Sequence, residues 1–185
     1  MKDLIEIRWH GRGGQGIWTA GLLLTKAAIR EGKYAQSFPE FGPEREGAPV
    51  RSFTRISDKP ILVHCNIYHP DIVVVSDPTL MKTVDTGEGL REGGIAVINT
   101  KENPKILRGS LKLGEADIWV VPATDIAVKI LGTARVSTAM LGALVKATNI
   151  VKLRSVIDAT LEQFKGRMGE LNVKVVRRSY EETSR

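Results

Sequence analysis

Residues 4–21, LIEIRWHGRGGQGIWTAG, set a short apolar run, a cluster of glycines and the start of an amphipathic segment one after another. Gly11, Gly13 and Gly16 stand at G-x-G-x-x-G spacing, and Gly14 lies inside it. Glycine lets a chain turn sharply between strand and helix, brings backbone N–H groups close to a ligand and lets the helix pack tightly on the strand. The free N–H groups at the helix start then suit a phosphate. The run over residues 4–9 predicts a strand. Apolar residues at 17, 20, 24, 27 and 28, with Gly32 as a stop, predict a helix over 17–30. This is the opening βα unit of a Rossmann-like domain.

Working outward, residues 34–38 and 50–56 read as strands that flank FPEFGPEREGAP, a connection dense in proline, glycine and glutamate. They predict an antiparallel pair around residues 34–56. The runs DIVVVS (71–76), GIAVI (94–98) and DIWVV (117–121) are continuously apolar, as in strands buried on both faces. Helices are expected over 79–91, 124–131, 137–148 and 153–165. The stretch 172–185 reads as an edge strand, VKVVRR, followed by a frayed terminus. The fold class is therefore α/β, a single Rossmann-like domain over residues 1–185 with a mostly parallel central sheet flanked by helices. In such sheets the ligand crevice lies beyond the carboxyl ends of the strands, so GRGGQG, Ser76-Asp77, Asn99-Thr100 and Ala123-Thr124 are expected on one edge.

The glycine cluster alone does not choose a ligand. A dinucleotide site needs an acidic residue about 20 positions on, at the end of the second strand. Glu31 falls before that strand and Glu40 lies beyond its end in a proline-flanked turn. No Gly-Lys-Ser/Thr follows, which excludes a P-loop. What remains is a glycine turn bearing the cationic Arg12 and the amide of Gln15, suited to the phosphates of another nucleotide or serving only to pack the first helix. No nucleophile elbow and no His-Glu-x-x-His segment is present. Asp77 and Asp125 are more simply a strand-end and a helix-start residue. The chain reads as a component of a larger assembly.

Composition narrows the classes further. The 42 % hydrophobic and 26 % charged fractions are those of an ordinary globule, with no linker-like stretch. Cys65 is the only cysteine, so this chain alone cannot supply four thiolates to an iron–sulfur cluster. His10, His64 and His69 do not fall at metal-site spacings. A net charge of +6 favours an anionic ligand or an acidic partner surface. The basic residues are dispersed and aromatics make up only 5 %, which argues against nucleic acid. Neither a signal peptide nor a membrane span is legible, and a cytoplasmic location is expected.

Taken in order, GRGGQG, FPEFGPEREGAPV, RISDKPI, DIVVVSDP, VPATDIAVKILG and MLGALVKATNIV resemble the gamma subunit of the 2-oxoacid:ferredoxin oxidoreductases, the pyruvate and 2-ketoisovalerate enzymes, over residues 4–165. That resemblance implies a holoenzyme that oxidatively decarboxylates a 2-oxoacid on thiamine diphosphate with Mg2+. Electrons then pass through 4Fe–4S clusters to ferredoxin, and the acyl group goes to coenzyme A. It implies alpha, beta and delta subunits as partners, with thiamine diphosphate and the clusters held in other chains. The gamma chain is expected to be inactive alone. Gly11, Arg12, Gly13, Gly14, Gln15 and Gly16 become the coenzyme A contacts, and residues 40–47 a ligand-covering or intersubunit loop. The chain departs from the family in that loop, where Arg45-Glu46-Gly47-Ala48 replaces the usual Met-Arg-Gly-Gly ending. Two other readings stay open: a free-standing nucleotide-binding or regulatory module, and the small subunit of an indolepyruvate oxidoreductase.

Overall fold

The computed structural model describes residues 3–40, 47–110 and 115–185. Six strands form one sheet: β1 (Leu4–Arg12), β2 (Tyr34–Pro39), β3 (Pro49–Ser57), β4 (Ile72–Val75), β5 (Ile95–Asn99) and β6 (Asp117–Val121). Their spatial order is β2-β3-β1-β4-β5-β6. The helices are α1 (Ile17–Arg30), α2 (Pro104–Ser110), α3 (Ala123–Leu131), α4 (Ser137–Thr148), α5 (Leu153–Gln163) and α6 (Gly166–Glu182). The expected α/β domain is present. β1, β4, β5 and β6 run parallel, whereas β3 is antiparallel to both β2 and β1.

The period of two along the strands sends alternate side chains to opposite faces. Ile7 and Trp9 of β1, Val74 of β4, Val97 of β5 and Val121 of β6 meet α1 and α3 to α6 in the larger core. On the other face Val73, Val75, Ala96, Ile98, Ile118 and Val120 form a smaller core with Leu107 of α2. Continuing along that second face, the side chains change character at β1. Arg8, His10 and Arg55 are buried there in place of aliphatics. Arg55 is paired with Glu6 (Nε to Oε1, 2.9 Å), donates to the Cys65 carbonyl at 2.9 Å and lies over the Phe38 ring. A buried guanidinium is tolerable only with its donors engaged in this way.

Three expectations are corrected. The stretch 172–185 is not an edge strand with a frayed end: most of it lies in α6, and its last residues return to the sheet, where Ser184 and Val120 exchange two backbone hydrogen bonds. Gly169, Asn172, Val175, Val176 and Ser179 are the buried positions, a spacing of three and four that belongs to a helix. The helix expected over 79–91 is only a short 3-10 turn, Pro78–Lys82. Beyond it the carbonyls of Thr86 and Glu88 accept from the buried Arg8 guanidinium instead of from a helix backbone. β1 also runs three residues further than the apolar pattern implied, taking Gly11 and Arg12 into the sheet opposite Val50 and Pro49.

Candidate functional site

The glycine turn is built by β1 running out of the sheet and α1 beginning at once. Gly14 and Gly16 have φ of 93° and 76°, the left-handed region that glycine occupies without a Cβ penalty. Gly11 needs its missing side chain for a different reason, since a Cβ there would lie 2.5 Å from Cγ2 of Ile17. Helix α1 starts with no side-chain cap, and its first intrahelical bond is Ala20 N–H to the Gly16 carbonyl at 3.1 Å. The N–H groups of Ile17, Trp18 and Thr19 precede that bond and sit at the positive end of the helix dipole.

The two polar side chains of the turn are committed to holding it. Gln15 accepts from the Arg12 N–H through Oε1 at 2.9 Å and donates to Asp77 Oδ2 at 3.3 Å. The Arg12 guanidinium donates to Asp77 Oδ2, Thr79 Oγ1 and the Gly47 carbonyl, at 2.9, 2.9 and 3.0 Å. Gly13 N–H donates to the Ala48 carbonyl at 2.9 Å. Burial raises the Asp77 pKa, but hydrogen bonds from Thr79 and Arg12 and the Arg12 charge more than offset this and leave it below the ordinary value. Asp77 is therefore a carboxylate clamp that joins the β1 turn to the end of β4. Of the expected coenzyme A contacts, Arg12 and Gln15 face inward to this clamp, and the backbone of Gly14 and Gly16 shapes the open part. Of the expected loop over 40–47, only Glu40 and Gly47 belong to the described residues. Glu40 takes Arg51 in a bidentate ion pair of 2.5 and 2.8 Å.

The strand-end residues expected on the same edge do meet. Asn99 Nδ2 donates to the Ser76 carbonyl and to Thr124 Oγ1, both at 2.8 Å, and its Oδ1 accepts from Thr124 N–H at 3.2 Å. One amide thus ties the ends of β4, β5 and the β6–α3 turn together. A cavity of about 160 Å³ lies over it, lined by Pro78, Asn99, Thr100 and Thr124 among others. The absent ribose-binding acid also finds its geometric explanation. β3 intervenes between β2 and β1, so the end of the second strand is not beside the glycine turn.

Trp18 is the feature that the spacing argument missed. It stands in the first turn of α1, exposed to 48 %, although large aromatics are normally covered. Helical side chains lean toward the N-terminus, which is the end of α1 that the glycine turn occupies. An exposed aromatic immediately after a glycine turn is a signal that could have been read in the sequence. Cys65 is exposed, and among the described residues no three His, Cys, Asp or Glu side chains gather as a metal site requires.

Comparison with known proteins gives a consistent result. The family model for pyruvate ferredoxin/flavodoxin oxidoreductase matches residues 6–182. The pyruvate/ketoisovalerate oxidoreductases common subunit gamma of Thermococcus litoralis is 51 % identical over 180 residues, covering 97 % of each chain. The crystal structure of pyruvate oxidoreductase subunit PORC from Thermotoga maritima superposes with a TM-score of 0.88 at 40 % identity, over 99 % of this chain and 98 % of that one. The 2-oxoglutarate:ferredoxin oxidoreductase of Magnetococcus marinus matches 98 % of this chain with 31 % of its own, at a TM-score of 0.79 and 17 % identity. At that identity the likeness is one of fold.

Proposed function

The chain belongs to the pyruvate ferredoxin/flavodoxin oxidoreductase family as a gamma subunit of a pyruvate/ketoisovalerate oxidoreductase, and on that premise we propose that it supplies coenzyme A contacts and assembly contacts to the complex. In the complete enzyme, alpha, beta and delta subunits would complement this chain. Pyruvate or a branched-chain 2-oxoacid loses CO2, two electrons leave for ferredoxin, and the acyl carbon forms a thioester with the sulfur of coenzyme A. Thiamine diphosphate with Mg2+ would provide the carbanion-stabilising chemistry and 4Fe–4S clusters the electron path. A single cysteine fits clusters carried by neighbouring chains.

The observation that carries the coenzyme A role is the turn itself. Its two left-handed glycines open the backbone in front of the N–H groups of Ile17, Trp18 and Thr19, where a phosphate binds favourably. Arg12 and Gln15 keep the turn in that shape, through the Asp77 clamp, rather than reaching for the ligand. Gly14 and Gly16 admit the ligand to the backbone, while Gly11 packs on Ile17 and Gly13 pairs with Ala48, and the exposed Trp18 offers a flat face in the first turn of α1.

The test is to isolate the native complex containing this chain and to assay it with Gly14 intact and as Gly14→Ala. The chain is expected to comigrate with larger subunits that carry thiamine diphosphate and iron. An alanine at φ 93° is strained, and the variant complex should show a KM for coenzyme A raised about tenfold, equivalent to ~1.4 kcal/mol, at near-normal kcat. A chain that stays apart from those subunits in cells making the enzyme overturns the assembly role. Unchanged KM in an intact variant complex overturns the coenzyme A role.

A further inference from the structure

A second and larger cavity, of about 500 Å³, opens between the β6–α3 turn, the loop after β5 and the last turns of α6. It shares Lys101, Pro122 and Asp125 with the small cavity above Asn99. Pocket volumes of this order hold small organic ligands. Its composition is uneven in an informative way. Pro122, Ile126 and Ile130 contribute an apolar floor. Lys101, Lys129 and Arg178 stand around it with Asp125 and Glu182. Two of these cations already have partners, Lys101 with Asp125 and Arg178 with Glu182. Lys129 has no ion-pair partner among the described residues.

These features select a ligand class by elimination. A bare anion would satisfy Lys129 but leave the isoleucine floor in contact with water. An acyl chain would cover the floor but sit among five charges. A molecule with a flat apolar body, hydroxyl or amine donors and an anionic group uses all three parts. The body lies on Ile126 and Ile130, the anion meets Lys129 and Lys101, and the donors face the carboxylate of Asp125 or Glu182. Exposed ion pairs are worth little in water, so exchanging Lys101 from Asp125 to a ligand anion costs little. The groove also lies beyond the carboxyl ends of β5 and β6, where open α/β sheets receive ligands.

We propose that this groove is a nucleoside-phosphate site, separate from the glycine turn at the end of β1. The occupant is a free nucleotide, because the phosphates of coenzyme A all lie on its nucleotide end and the reading above assigns them to the glycine turn. That exclusion of coenzyme A rests on the proposed function above, whereas the groove site itself does not.

Titration calorimetry of the purified full chain with ADP decides the matter. An ADP site is expected whose affinity is at least tenfold weaker in Lys129→Glu and in Ile130→Arg, both keeping the wild-type thermal transition. Lys129→Glu alters an exposed helix position and keeps the test informative if the arginine variant folds poorly. The site sensitive to Lys129→Glu should survive in Gly14→Ala, which separates the groove from the turn. Displacement of ADP from the groove by coenzyme A but not by pantetheine overturns the free-nucleotide reading. ADP binding that persists beside saturating coenzyme A identifies a free nucleotide. Absence of ADP binding, affinity unchanged in both groove variants, or equal competition by inorganic pyrophosphate overturns the proposal. A chain that assembles with its complex yet ignores ADP would overturn the groove alone.

Discussion

His10 shows how much one side chain can carry when β1 puts it on the polar half of the second sheet face. It is 1 % exposed, and its Nε2 accepts from Arg8 Nε at 3.0 Å, which puts the ring proton on Nδ1. Burial, then the nearby charges of Arg8 and Arg51, push its pKa down to about 3 from 6.5. The folded chain therefore excludes a proton that the unfolded chain takes up below about pH 6.5. This contribution to stability is complete above that pH and is lost progressively as the pH falls toward 3. Between pH 6 and 4, His10→Gln, which keeps an acceptor for Arg8 but cannot titrate, should lose a pH slope of about 1.4 kcal/mol per unit relative to the native chain. Urea unfolding at several pH values measures it, and parallel slopes would mean that the histidine is charged or accessible in the fold.

At the level of elements, α4 and α6 approach each other closely. The small residues of STAMLGALVKAT are buried on nearly every side, and a Cβ on Gly142 would collide with the Val176 carbonyl oxygen. Gly142→Ala is expected to remove ~2 kcal/mol or more of stability, seen as a lower urea midpoint at unchanged slope. An unchanged midpoint would mean that the two backbones do not touch. The same pair of helices shows where the sequence was legible and where it was not. The strands after residue 70 announce themselves as apolar runs because both of their faces are covered. α4 and α1 do so through their spacing. α6 does not, because VKVVRR taken alone alternates like a strand, and part of its buried stripe is polar: Asn172 Oδ1 accepts from Thr138 of α4 at 2.9 Å. α2 was missed because Leu107 is its one residue known to be buried, too little to form a pattern. In the site, the glycine spacing was visible, and so was the shared edge. That Arg12 pairs with Asp77 was not, since the pairing spans 65 positions. It exists only once β4 lies beside β1.

Considered whole, the molecule joins an antiparallel half, β2-β3-β1, to a parallel half, β4-β5-β6, across a single strand pairing. Its α1 and α4 to α6 cover both halves in one continuous core. Such a core should unfold in one step. Trp9, fully buried in β1, and Trp119 in β6 report the two halves separately. In single-tryptophan variants retaining one or the other, the fluorescence midpoints in urea are expected to coincide with each other and with the loss of helical circular dichroism. Separate midpoints would make the halves independent units.

Because β1 takes β3 on one side and β4 on the other, the order in which the chain acquires its partners bears on the glycine turn. The first 57 residues contain every strand of the antiparallel half together with α1, so that half closes loops of modest length. The clamp on Arg12 waits for residues 77 and 79, a long-range contact of the kind that slows folding. On the ribosome, the turn is therefore made before the residues that clamp it. An immature chain keeps the motif but lacks its shape, so a partner or ligand that recognises the shape selects for chains whose two halves have already met.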